Sequence, residues 1–419
     1  MEIRKYSMEN RRDREHKKQR LRERMIDSET FVPDEEELAR YRENRRKHRQ
    51  ARAIVIVLVI AFAAAGVLGY RYYRAHHKYS EVTVTWEKEI SGGSFSGYEA
   101  YGDNVIKYTR DGASYINKKG EAVWSQAFEM KSPFAEVSGD LAAIADRNGY
   151  SIYICDKNGC QGVVTTTLPI SRVAISSTGI TVAILEDTKS NIIAFYDKAG
   201  KKLQIEVQTT LAGNGYPIDL SISPDGMMLM VSYVYLDEGL MQNQVVFYNF
   251  DEEGQNIKDR LVGGFKEYGS SMVARVRFLD DTYACAFAED RICFYSLENT
   301  VKPELVKQID ISGEISSIFY SSSYAGAVVR DESGSRTMTL YGKNGSESFS
   351  QELDTEYDHV ELSGSHVLLY RETECRIYSA AGNLKYQGSL ESTIDKLICL
   401  SDSRYIQIGP QAMRGIELK

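Results

Sequence analysis

A chain of 419 residues could hold two or three average domains, and its 51 Lys+Arg against 59 Asp+Glu leave a net charge of −8. The basic segments interleave acidic residues throughout, which excludes a nucleic-acid partner, and a total of two tryptophans excludes the tryptophan-docked blades of quinone-cofactor dehydrogenases. Six cysteines over this length neither forbid nor require an oxidising compartment.

Residues 1–52 carry 17 Lys+Arg against 12 Asp+Glu, a net of +5. "RRDREHKKQRLRERM" and "PDEEELARYRENRRKHRQ" predict two charged helices broken around "SETFVPD", the second starting after Pro33 with acidic residues at its positive end. Such a tail either lies near anionic lipid headgroups or offers Phe31 and Val32 as apolar anchors to a cytoplasmic partner. The next stretch, "AIVIVLVIAFAAAGVLGY" (53–70), is an uncharged run of 18 residues, long enough to cross a bilayer as a helix. A 52-residue charged leader favours a signal anchor over a cleaved signal peptide. Seven Lys+Arg in 40–52 against three in 71–78 predict a cytoplasmic N-terminus and an extracytoplasmic remainder. Ala61, Ala65 and Gly69 recur at four-residue spacing, which predicts a face for helix association and a homodimer. Residues 71–81 read as a juxtamembrane linker.

From residue 82 to 419 helical periodicity gives way to short strands. In "SISPDGMMLMVSYVYLDEGLMQNQVVFYNFDEEG" (221–254), three β-branched and aromatic runs are divided by Asp- and Gly-bearing turns. The last turn is a key that recurs: Ile116 to Gly120, Cys155 to Gly159, Tyr196 to Gly200, Phe250 to Gly254, Tyr341 to Gly345 and Tyr378 to Gly382, with Tyr295 to Asn299 as a variant. Its glycine positions step by 39, 41, 54, 45, 46 and 37 residues, close to the repeat of a four-stranded propeller blade. With strands a to d in each blade, the key is the c–d turn. The C-terminus supplies strands a, b and c of an eighth unit and no d, whereas "VTVTWEKEI" (82–90) is a spare strand that resembles "EAVWSQAF" in the placing of Trp86 and Trp124. The expectation is therefore all-β, an eight-bladed β-propeller closed by its N-terminal strand, with seven blades as the alternative if the first unit is degenerate.

The b–c turns would share one face of that propeller. They hold Asp111 beside Arg110, Asp146 and Arg147, Glu186 and Asp187, Asp237 and Glu238, Glu289 and Asp290, Asp331 and Glu332 after Arg330, and Arg371 and Glu372. Charged turns are the ordinary state of a solvated surface, but an acidic ring with interspersed arginines also suits a basic or mixed-charge partner. A long turn at 234–244 carries Leu236, Leu240 and Met241 on the same face, apolar groups that mark a docking site.

Signals for chemistry are sparse. The stretch Gly93 to Gly97 ("GSFSG") invites comparison with a nucleophile elbow, but it leads into more strand sequence and His359 and His366 lie far along the chain, so it reads as a d–a connection. "DKNG" and "DEEG" lack calcium-loop spacing. No metal or cofactor is expected, since only His359 and His366 lie in the propeller and no CxxC accompanies the cysteines. Cys155 with Cys160, and Cys285 with Cys293, each flank a hairpin turn where either pair could face across.

The basic tail, single anchor, "TVTWEKEI" strand and propeller-like remainder resemble an uncharacterised family of clostridial-type Gram-positive proteins, and more weakly quinoprotein-like and WD-type propellers. That resemblance implies an envelope protein without an assigned activity. The expected function is a membrane-anchored scaffold that binds a protein or glycan of the cell envelope; a cell-wall glycan- or peptide-directed enzyme using the central channel is the alternative. Val82, the start of the closing strand, would lie on the c–d face near the membrane, which turns the b–c face outward.

Overall fold

The computed structural model describes residues 18–20, 35–90, 96–102, 104–210 and 213–419. Phe31, Val32 and the first predicted tail helix fall mostly outside them. The helix Glu35–His76 runs unbroken through the predicted second tail helix, the apolar span and the start of the linker. It is long and apolar enough to cross a membrane.

Residues 75–419 form a separate unit. Among the described residues, thirty-two strands make eight four-stranded sheets. Seven sheets use four consecutive strands, giving blades 1 to 7 over 96–127, 133–165, 170–209, 216–269, 273–310, 314–353 and 359–389. Blade 8 joins Lys396–Ser401, Arg404–Ile408 and Ala412–Leu418 to the N-terminal strand Val82–Glu89. Closure is antiparallel, with Val82 opposite Leu418 and Glu89 opposite Ala412. The ring is eight-bladed, and the N-terminal strand removes what would be an exposed edge.

The strands differ in composition because they differ in surroundings. Strand b of blade 2, Leu141–Asp146, is buried throughout, and its Ala142, Ala143 and Ala145 let neighbouring blades approach. The outer strand of blade 3, Lys202–Thr209, alternates exposed and half-buried residues, as expected with solvent on one face. Apolar clusters fill the spaces between blades; the one joining blades 8 and 1 packs Ile398, Ile406, Ile408 and Val105, with Trp86 against it.

In several copies the recurring turn key has a second physical cause beyond its turn. Gly120 has φ +75°, and a Cβ there would meet the Trp86 ring of the preceding blade's strand d at 2.5 Å. At Gly382, φ +82°, the same atom would strike Phe349 of blade 6 at 2.9 Å. Glycine is needed both for the left-handed backbone and for the approach of the neighbouring blade. The two tryptophans occupy equivalent places: Trp86 Nε1 donates to Lys118 O and Trp124 Nε1 to Asp156 O, each at 3.1 Å and each in the c–d turn of the next blade.

Two cysteine expectations part company. Cys155 and Cys160 are register partners and are disulfide-bonded across the c–d turn of blade 2. Cys285 and Cys293 do not face each other: Cys285 pairs with Phe294 and Cys293 with Ala286. Both are buried free thiols.

Candidate binding face and central channel

Each b–c turn carries the charged residues expected of it, but their surroundings divide them. Asp146 is 8% exposed and accepts the backbone amides of Lys131 (3.0 Å) and Ser132 (2.7 Å), so it caps the d–a connection and is withdrawn from any partner. Glu186 accepts the Tyr216 hydroxyl at 2.5 Å. Arg147 stacks on the Phe134 ring at 5.0 Å. Asp290 is bound by Arg291 and Ser271, and the Arg291 hydrogen bond holds its pKa down to about 2. Asp331 folds onto Ser333 and Ser335 of its own turn, the Ser333 hydroxyl lowering its pKa. Asp187 accepts the Thr188 amide, and Arg371 lies 3.9 Å from Glu374. Asp111, Asp237, Glu238, Glu289, Glu332 and Glu372 are exposed, and their carboxylates make no hydrogen bond among the described residues.

The stretch 234–244 is not a loop. Strands b and c of blade 4, Met228–Asp237 and Leu240–Asn249, have ten residues each where the other blades use five to seven. A two-residue turn at Glu238 (φ +50°) and Gly239 (φ +84°) joins them. Support from strand a ends at Tyr216 opposite Val234, and from strand d at Gly269 opposite Asn243. Residues 235–242 therefore stand as a bare two-stranded ribbon, about 13 Å long at 3.3 Å per residue. Its side chains include Leu236, Leu240 and Met241, which are 50%, 66% and 65% exposed. A cavity of about 280 Å³ between blades 5 and 6, lined by Phe287, Glu289, Ile315 and Ile318, includes Glu289 of the b–c turns.

The channel holds a second cluster that sequence reading missed. Glu361 of blade 7 and Glu99 of blade 1 lie 3.0 and 3.4 Å from Lys396 of blade 8. Burial raises the pKa of Glu99; Lys396 opposes the shift, and the nearby Glu361 and Glu136 add to it. Across the axis, Asp219 of blade 4 takes Arg277 (3.4 Å), Arg275 (3.4 Å) and Arg172 (3.7 Å) from the blades on either side. Arg277 also reaches Glu136 of blade 2 at 3.3 Å, three blades away, which places these groups around the axis. Most innermost strands contribute one or two of these charges, but their sign and residue type change between blades and blade 6 has Ser317 at the position, so no shared motif exposes them.

Other nucleophile candidates are quiet. Cys399 Sγ lies 3.4 Å from His366 Nδ1, but burial pushes the thiol up to about 12 and lowers the His366 pKa. Within the predicted nucleophile-elbow comparison, Gly93 to Phe95 lie outside the described residues, while Ser96 and Gly97 open strand a of blade 1. Ala61, Ala65 and Gly69 all lie within the N-terminal helix.

Residues 75–418 match a family of unknown function, DUF5711. No curated protein matches. Among solved structures, the chain is similar to Chaetomium thermophilum Sqt1 bound to the N-terminus of the ribosomal protein L10, at 12% identity and a TM-score of 0.50, over 77% of this chain and 92% of that one. It is also similar to BamB from Moraxella catarrhalis at 12% identity and 0.49, over 81% and 100%, and to Kluyveromyces lactis Hsv2 at 13% and 0.44, over 70% and 97%. At such identities the likeness is one of fold alone.

Proposed function

We propose, on the premise that the chain belongs to this family of unknown function and draws no activity from membership, that it is a membrane-anchored extracytoplasmic scaffold whose b–c face docks an envelope protein. The observation that carries the reading is the blade 4 ribbon, which displays Leu236, Leu240 and Met241 to solvent beyond the support of its own sheet. A solvent-exposed apolar tip rimmed by unspent carboxylates suits a basic or mixed-charge surface with an apolar hollow. A protein meets that requirement better than a neutral or anionic glycan, which offers no cationic rim.

Two further features support the topology. The disulfide between Cys155 and Cys160 suits an oxidising compartment. The apolar part of the N-terminal helix is preceded by Arg45, Arg46, Lys47, Arg49 and Arg52, and positive charge stays on the cytoplasmic side. A binding role is favoured over a catalytic one because each channel carboxylate described above shares an Arg or Lys partner.

The test is capture from envelope extract by the full chain in detergent, with bound proteins identified by mass spectrometry. Asp237→Lys, Glu238→Lys and Leu240→Ala together should abolish capture while leaving the melting temperature unchanged. Exposed lysines of the opposite turns, Lys118 and Lys157, should tolerate reversal. Lys198 does not serve as such a control, because its ammonium binds Asp156 at 2.7 Å. Loss of capture in the lysine variants alone would refute the proposed face.

A further inference from the structure

We propose that the central channel contains an oxyanion site between Arg172 of blade 3 and Arg275 of blade 5. This inference is independent of the partner face. The pairing of strands a and b shifts by one residue at the same point in four consecutive blades, between Ile170 and Arg172, Pro217 and Asp219, Val273 and Arg275, and Ile315 and Ser317. Blades 1, 2 and 7 keep an unbroken a–b register. A bulge re-aims the side chain that follows it. Here the side chains that follow are Arg172, Asp219, Arg275 and Ser317, a polar arc on one wall of the channel.

The charges on that arc do not balance. Three guanidinium groups meet two carboxylates, Asp219 and Glu136, and only one of the three is fully engaged. Arg277 donates to Asp219, Glu136 and the carbonyls of Val276 (2.9 Å) and Leu220 (3.3 Å), and lies 5.0 Å over the Tyr320 ring. Asp219 is 2% exposed, and its Oδ2 is taken by Arg277 and by the Val276 amide at 3.0 Å. Arg172 and Arg275 are left to share Oδ1, at 3.7 and 3.4 Å. Arg172 Nε is buried and finds no hydrogen-bond acceptor among the described residues. Yet one third of each of these two side chains remains open to solvent.

Two guanidinium forks with surplus donors, fixed on either side of one buried carboxylate, match a group with several acceptor oxygens: a carboxylate or a phosphate. The low-dielectric walls of the channel strengthen such a contact. Opposite, Lys396 between Glu99 and Glu361 leaves that wall one charge negative. A ligand with a single anionic head, or one with a cationic far end, is therefore favoured over a polyanion.

The probes are inorganic phosphate and acetate, with chloride at matched ionic strength as reference, and the full chain in detergent. Equilibrium dialysis of labelled phosphate and labelled acetate should show saturable binding of at least one of the two at one site per chain, and the tighter of them names the headgroup chemistry. The bound oxyanion should also raise the melting temperature read from Trp86 and Trp124 fluorescence. Arg172→Met with Arg275→Met should weaken binding at least tenfold; Asp219 then keeps Arg277 and the Val276 amide, so the fold retains its buried pair. Arg172→Lys, which keeps the charge but not the fork, should weaken it several-fold, and Arg330→Met, outside the channel, should leave it unchanged. Saturable binding of neither probe to the wild-type chain overturns the proposal, as does equal binding by the wild type and the Arg172 variants.

Discussion

Asp146 and Asp237 both end strand b of their blades, and the sequence around them does not tell them apart. The fold does: Asp146 closes the d–a connection with two amide contacts, and Asp237 stands on the ribbon tip. Removing a buried acceptor strands its donors, at a cost of about 1 to 3 kcal/mol. Asp146→Ala should therefore lower the unfolding free energy by that amount, seen as a fall in the denaturant midpoint at unchanged slope, whereas Asp237→Lys should leave both within error. The glycine key makes a second residue-scale test. Gly120→Ala meets both a left-handed backbone and the Trp86 ring, so it should destabilise by about 2 kcal/mol or more and shift the tryptophan emission. An unperturbed midpoint and spectrum would separate the turn from blade packing.

At the scale of elements, the repeat was legible because glycine recurs at the c–d turn, and at Gly120, Gly200, Gly345 and Gly382 it serves two demands, a left-handed backbone and close contact. The closing strand was legible because Trp86 and Trp124 occupy the same position in strand d. The channel arc was not. A bulge moves Arg172, Asp219 and Arg275 out of the alternation that a strand pattern relies on, and the inner-strand position changes type and sign from blade to blade, from Glu136 to Arg172 to Asp219 to Ser317, so no shared residue marks it. The ribbon is half-legible: the sequence marks its apolar residues, but the Asp, Glu and Gly between "VYL" and "MQNQ" favour a long turn over the two extended strands that form. Closure by Val82–Glu89 predicts that a chain starting at Tyr98 melts far below one starting at Tyr79, since it exposes the edge of Ala412–Leu418 and the apolar groups beneath. Equal melting temperatures would contradict closure.

Ionic links between blades predict an acid response. Asp156 bonds Lys198 of the next blade at 2.7 Å, and Asp280 bonds Lys343 at 2.6 Å. Burial opposes ionisation of both aspartates, but the lysines and backbone amides outweigh it and lower their pKa values. A lowered folded pKa stabilises above the unfolded value of about 3.9 and loses that contribution as pH falls through the folded value. The melting-temperature gap between wild type and Lys198→Met with Lys343→Met should be constant above about pH 5 and narrow below about pH 4. A gap that persists at pH 2 would assign the effect to packing.

At the scale of the whole molecule, the chain combines a helix able to cross a bilayer with a closed ring that presents one unusual projection. Ala61, Ala65 and Gly69 offer the helix a close-packing face, so Ala65→Leu should weaken self-association in a membrane two-hybrid assay, and an unchanged signal would remove that face. The central claim is that the ribbon meets an envelope protein. Photo-crosslinking in intact cells tests it directly, with a benzophenone amino acid placed in turn at Leu240, Lys118 and Lys157. A discrete crosslinked protein is expected from Leu240, formed outside the cytoplasm and absent from both lysine positions. Crosslinks from Lys118 or Lys157 with none from Leu240 would contradict it.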